Sequence, residues 1–224
     1  MASIKENLEN VSALLPDGVR LVAVSKFHPV EELAEAYEAG QRLFGENRAQ
    51  ELIAKAPLLP DDVRWHFIGH LQKNKVRAIM PYVSVIESVD SVKLLQLIEK
   101  EAARIDRKVD VLLQIHVAQE ETKSGFSVEE LLQAGEEGLL TCYDHVRVCG
   151  VMAMASLTDD MEQVAQEFDL VRRTYLMLKD GPFDDCADFF ELSMGMSDDW
   201  QVAVKHGATL VRIGTAIFGP RQHF

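Results

Sequence analysis

Arg20-Leu21-Val22-Ala23-Val24-Ser25-Lys26 sets an apolar, partly β-branched run directly before a lone lysine. Such a run predicts a buried strand that opens into a loop at Lys26. Comparable runs recur at Leu43 to Gly45, Arg64 to Ile68, Ser84 to Glu87, Val109 to Ile115, Val146 to Met152, Phe189 to Leu192 and Leu210 to Ile213. Between them lie segments of helical period: Val30 to Ala39 with Leu33, Ala36 and Tyr37; Val92 to Ile105 with Leu94, Leu95, Ile98 and Ala102; Met161 to Leu178 with Val164, Phe168 and Val171. Strands alternating with helices imply parallel pairing through right-handed crossovers. Eight such units in 224 residues predict an α/β fold, a single (β/α)8 TIM barrel over residues 1–224, with an open doubly wound sheet as the alternative. Ile4, Leu8, Val11 and Leu15 form a stripe on an extra N-terminal helix, which packs on the barrel or on another subunit.

Composition narrows the function. The chain is 47% hydrophobic and 26% charged, as expected of a globular protein with a sizeable core. Its 36 acidic against 23 basic residues leave a net charge of −13, which repels nucleic-acid backbones and anionic lipid, so neither is an expected partner. No apolar stretch approaches the roughly 20 residues of a spanning helix. Residues 1–15 lack the basic and apolar blocks of a secretory signal, and Glu6 and Glu9 argue against a transit peptide. Cys142, Cys149 and Cys186 cannot all pair with one another, which suits a reducing, cytoplasmic setting. No metal is expected. Cys142, His145 and Cys149 offer three ligands with the last in a predicted strand, and His66 and His70 flank Gly69 without the glutamate of a helical zinc motif. Lys123-Ser124 is not part of a nucleotide loop, because Ala118 and Thr122 stand where glycines are required.

Barrel enzymes and binding proteins use the C-terminal ends of their strands, so Lys26 and Asn47 are expected on the active face. A lysine desolvated and held still there can attack an aldehyde, whereas a lysine ending a strand in water does nothing. The amine must be neutral to react. Lowering an ordinary lysine value near 10.4 by about three units requires roughly 4 kcal/mol of desolvation. The seventh strand leads into Ser193-Met194-Gly195-Met196-Ser197-Asp198-Asp199, with Ser197 expected to cap a helix from Trp200 to His206 and the two aspartates pointing outward. The eighth leads into Gly214-Thr215. Ser193, Ser197, Gly214 and Thr215 offer hydroxyls and an approachable backbone for a phosphate, or are simply a cap and a turn. If Val211 and Ile213 pack under the helices, Arg212 and Gly214 face the lumen. Arg212 then pairs with a carboxylate or donates to a ring nitrogen. An aldehyde, a phosphate and an aromatic nitrogen together describe pyridoxal 5'-phosphate.

Six stretches, Leu21 to Lys26, Phe44 to Asn47, Trp65 to Lys75, Lys123 to Phe126, Leu192 to Asp199 and Val211 to Gly219, are similar in order to those of the pyridoxal phosphate homeostasis proteins. That family resembles the barrel domain of alanine racemase standing alone. The resemblance implies that Lys26 holds the cofactor as a Schiff base, Arg212 approaches the pyridine nitrogen, Asn47 lies beside the cofactor, and Ser193, Ser197, Gly214 and Thr215 hold its phosphate. It implies a protein that buffers and supplies the cofactor, with recipient enzymes as partners, a monomeric or weakly dimeric state and no robust catalysis. A weak amino-acid racemase and a Schiff-base aldolase acting on phosphosugars are the alternatives. Racemases of this fold take a second base, a tyrosine, from a separate domain, whereas Tyr37, Tyr82, Tyr143 and Tyr175 are expected away from the active face and Phe224 follows soon after the last strand. Cys149 to Ala155 departs from the family's more aliphatic, proline-bearing pattern.

Overall fold

A computed structural model describes residues 3–118 and 124–220. Eight parallel strands close into a barrel in chain order: β1 (Arg20–Val24), β2 (Leu43–Glu46), β3 (Arg64–Phe67), β4 (Val83–Val89), β5 (Val109–Ile115), β6 (Val146–Ala153), β7 (Glu191–Ser193) and β8 (Leu210–Ile213). The ring is sealed by β8 lying parallel to β1, with Leu21 opposite Val211 and Val22 opposite Arg212. The barrel is therefore closed, and the open-sheet alternative is set aside.

Helices α2 (Val30–Glu38), α3 (Ala49–Lys55), α4 (Lys73–Ile79), α5 (Val92–Ala103), α6 (Val128–Glu136), α7 (Met161–Lys179) and α8 (Trp200–Lys205) connect successive strands. Their starts follow local chemistry. Ser127 and Glu130 form a reciprocal capping box on α6, and Asp160 accepts from Glu162 and Gln163 N–H at the head of α7. The main core lies between strands and helices, where Leu33, Phe44, Leu52, Phe67, Ile86, Leu95 and Phe168 are fully buried or nearly so. Inside the barrel, Val85, Leu112, Cys149 and Met152 make a separate apolar plug. Burial there pushes the Cys149 thiol up to about 12, so it packs as an inert side chain.

The N-terminal helix α1 (Ile4–Leu14) buries Leu8 and Val11 against its own chain. Its Asn7 amide donates to the Ile217 carbonyl at 3.0 Å, and Ile4 N–H donates to Glu35 of α2 at 3.1 Å. α1 thus packs on the seam where the first and last units of the barrel meet. A short helix α9 (Thr215–Phe218) follows β8, where the sequence suggested only a loop. β7 begins two residues later than expected, because Phe189 leaves the sheet to stack on Phe183 at 4.1 Å and on Tyr175 at 5.3 Å. No helix among the described residues is long and apolar enough to cross a membrane.

Phe168 anchors the middle of α7 without exposure. Phe168→Ala should lower stability by about 4 kcal/mol through lost burial and the cavity it leaves, read as a shift of the urea midpoint.

Candidate cofactor site

At the C-terminal ends of the strands a cavity of about 460 Å³ opens, within the range of about 300–1,000 Å³ typical of small-molecule sites. Lys26, Asn47, Ser197, Arg212, Gly214 and Thr215 all line it. Ser193 does not. It is fully buried below the floor, where its Oγ donates to Glu87 at 2.6 Å and accepts from Arg212 at 2.6 Å. A larger cavity of about 770 Å³ lies at the opposite end of the barrel, lined by the starts of β5 and β6, but Arg147 and Asp110 there satisfy each other in a paired contact.

Arg212 faces the lumen, as the alternation of β8 requires: Val211 and Ile213 lie in the outer core and Arg212 is only 3% exposed. Its guanidinium donates to Ser193 Oγ and, at 2.8 Å, to the Ala153 carbonyl, and it stands 3.6 Å from Glu87 Oε2. Glu87 also accepts from His66 Nδ1 at 2.6 Å. Burial alone would raise the Glu87 carboxyl, but His66, Arg212 and Ser193 outweigh it and hold the group below its ordinary value. Burial lowers the Arg212 value, and the carboxylates of Glu87 and Asp199 oppose that shift. Both outcomes expected for Arg212 are compatible here: it pairs with a carboxylate and still reaches the cavity.

The lysine is positioned by its neighbours. Lys26 is half-buried at the end of β1, and the next residue, Phe27, has a left-handed φ of 68°, a conformation that costs a non-glycine residue about 1–3 kcal/mol. Lys55, from α3, holds that turn in place. Its Nζ donates to the Ser25 carbonyl at 2.9 Å, to Glu46 at 2.8 Å and to Glu51 at 2.8 Å. Glu46 in turn accepts from Ser25 Oγ at 2.7 Å, and Glu51 accepts from Phe27 N–H at 2.8 Å. Arg48 lies over the Phe27 ring at 4.6 Å. Burial pushes the Glu46 carboxyl up, with Lys55 and Ser25 opposing the rise.

Two loops complete the wall. After β3, Gly69 lies against Asn47 so closely that a Cβ would sit 2.3 Å from the Asn47 carbonyl oxygen. Asn47 Oδ1 is buried with no donor among the described residues, an acceptor left for something in the cavity. After β8, a Cβ on Gly214 would meet the Val24 carbonyl at 2.9 Å, so glycine there lets the chain turn tightly beside the cavity. Ser197 lines the cavity but is not a helix cap: Asp199 occupies the cap position of α8, and its carboxylate accepts from Met196 N–H at 2.5 Å. The two aspartates differ: Asp198 is exposed, as expected, and Asp199 is not. Asp198 lines the cavity, and Asp199 is largely buried, which raises its carboxyl above the ordinary value.

Sequence reasoning did not single out Glu46, Glu51, Lys55 or Glu87, and it weighed His70 only as a metal ligand. Glu87 was legible, since it follows Ile86 at the end of a predicted strand and so alternates inward. Lys55 reads in sequence as an ordinary i,i+4 partner of Glu51. His66 and His70, four residues apart, separate in space: His66 bonds inside the barrel, and His70 sits at the mouth, 3.3 Å from Asp90 and 3.1 Å from Ser124 Oγ. Lys123 lies outside the described residues. None of the four tyrosines lines this cavity.

Residues 1–222 match the family model of the alanine racemase N-terminal domain, which makes the chain a protein of that class. The chain belongs to the pyridoxal phosphate homeostasis protein family within it. It is 35% identical over 229 residues to the pyridoxal phosphate homeostasis protein of Pasteurella multocida, covering all of this chain and 97% of that one. The human protein of the same name is 40% identical over 216 residues, covering 91% of this chain and 77% of the human one. Among solved structures, PipY of Synechococcus elongatus with PLP bound superposes with a TM-score of 0.87 at 37% identity, covering 97% of this chain and 100% of PipY. Alanine racemase of Clostridium difficile shares the barrel at a TM-score of 0.72 and 16% identity, covering 96% of this chain and 56% of the racemase.

Lys55→Met removes the shared cation from Glu46 and Glu51. We expect a loss of about 3 kcal/mol in the urea midpoint, together with slower capture of an added aldehyde by Lys26. Glu87, held below the ordinary carboxylate value of 4.5, contributes stability that is present above that value and lost as pH falls through the depressed one. Urea midpoints of Glu87→Gln and the parent protein should therefore converge as pH is lowered from about 6 to about 3.

Proposed function

We propose that the chain binds pyridoxal 5'-phosphate as a Schiff base on Lys26 and serves intracellular cofactor homeostasis and supply, with pyridoxal phosphate enzymes as recipients and a cytoplasmic setting. The observation that carries this reading is convergence: an amine, a floor guanidinium, an orphaned amide oxygen and the Gly214-Thr215 turn line one cavity of suitable size. Family membership and the PLP-bound PipY support the choice of ligand.

The residues present fit such a group. Asn47 Oδ1 can accept from a ring hydroxyl, and Ser197, Gly214 and Thr215 offer hydroxyl and backbone donors to the phosphate. Ser193, its Oγ already engaged by Glu87 and Arg212, serves to position Arg212 rather than to touch phosphate. When bound, pyridoxal phosphate supplies an aldehyde to the amine and a ring that can withdraw electrons. Arg212 keeps its protons and can only donate, so a ring nitrogen facing it stays unprotonated and withdraws weakly. That favours holding over turnover. A weak amino-acid racemase is the second reading, supported by His70 on the cavity wall with Asp90 behind it as an acceptor.

Borohydride reduction of the protein mixed with pyridoxal phosphate should fix one adduct, assigned to Lys26 by mass spectrometry, and Lys26→Ala should abolish it. An adduct that persists elsewhere in Lys26→Ala refutes the assignment. Exchange of the α-proton of alanine for solvent deuterium above the free-cofactor rate would favour the racemase reading.

A further inference from the structure

His28 lines the same cavity as Lys26, Arg212 and Thr215, yet nothing above gives it work. Its side chain is buried and doubly fixed. Nδ1 is 2.7 Å from Glu32 Oε2 in α2, and the ring packs on Phe218 with centroids 5.0 Å apart at 30°. Phe218 ends the short α9 turn that Thr215 begins, so this stacking seats His28 against the segment carrying Gly214 and Thr215. Because Glu32 engages Nδ1, the ring's other polar atom, Nε2, is the one left for the cavity.

Charge makes this placement informative. A phosphate would enter a chain of net charge −13 with Asp198 on the cavity wall. The cationic or ionisable basic groups on that wall, among the described residues, are Lys26, Arg212, His28 and His70. An aldehyde engages the Lys26 amine, Arg212 is tied to the floor beside Glu87, and His70 is tied to Asp90 and Ser124. His28 remains, beside the Gly214-Thr215 turn.

Resting on the phosphate reading above, we propose that His28 is a phosphate-binding residue: its Nε2–H donates to a phosphoryl oxygen, with Glu32 as the positioning partner that accepts from Nδ1–H. The site then selects phosphorylated over unphosphorylated pyridoxal-type ligands through a charge-assisted bond. Glu32 holds the ring in the orientation that leaves Nε2 for the cavity.

Two ligands separate this contact from capture by Lys26. Pyridoxine 5'-phosphate has the phosphate but no aldehyde, and pyridoxal has the aldehyde but no phosphate. By calorimetry, His28→Asn should bind pyridoxine 5'-phosphate about tenfold more weakly or worse, while borohydride trapping of pyridoxal on Lys26 stays at the parent level. His28→Lys, which keeps a cation, should recover most of the affinity, and Glu32→Gln should lose part of it. Unchanged pyridoxine 5'-phosphate affinity in His28→Asn, or an equal loss of pyridoxal trapping, overturns the role of His28. If the parent protein traps pyridoxal but does not bind pyridoxine 5'-phosphate, the phosphate reading itself fails.

Discussion

A guanidinium inside a closed barrel constrains everything around it. Left unpaired, Arg212, only 3% exposed, would carry a desolvation penalty of several kcal/mol. Glu87 provides the counter-charge from β4, across the barrel. Ser193 bridges the two, Ala153 offers its carbonyl, and His66 holds the far oxygen of the carboxylate. Each member needs the others: removing Arg212 strands Glu87, and removing Glu87 strands Arg212 and His66. The floor of the cavity is consequently a rigid donor surface, while the lumen beneath it reverts to the apolar packing of Val85, Leu112, Cys149 and Met152.

The wall of the cavity is held on a different principle. Lys26 must project from a backbone that turns sharply, and Phe27 takes a left-handed conformation to allow it. Lys55 offsets that strain by tying the Ser25 carbonyl to Glu46 and Glu51, and Glu51 returns to grip the Phe27 amide. The buried Lys55 thus fixes the peptide segment that carries the half-buried Lys26. The Lys55 amine is fully engaged with a carbonyl and two carboxylates, which keeps it a structural cation even though it is the nearer relative of Lys26 in chemistry.

Much of this was legible in the sequence, and the parts that were not share a cause. Apolar runs separated by helical stripes located the eight strands, because those patterns are local, whereas the pairing of β8 with β1 that closes the ring is not, and it left an open sheet as the alternative. Arg212 was placed inward by alternation against Val211 and Ile213, again a local rule. Ser193 was assigned to phosphate because it is a hydroxyl at a strand end, and its engagement by Glu87, more than a hundred residues away, was not legible because only ring closure brings the two together. Ser197 looked like a cap because the sequence gives no means of ranking it above or below Asp199, whose carboxylate takes the Met196 amide. Lys55 carried the pattern of a surface helix pair, and its burial depends on the strand-end turn at Ser25 that it meets only in three dimensions.

The pairing of β8 with β1 has a consequence for folding. Lys26 precedes Arg212 in the chain, so until β8 docks the lysine lacks the guanidinium floor and stays an ordinary solvated amine. The cavity that Lys26 and Arg212 both line is complete only when β8 has docked on β1, so closing the ring and forming the site are one event.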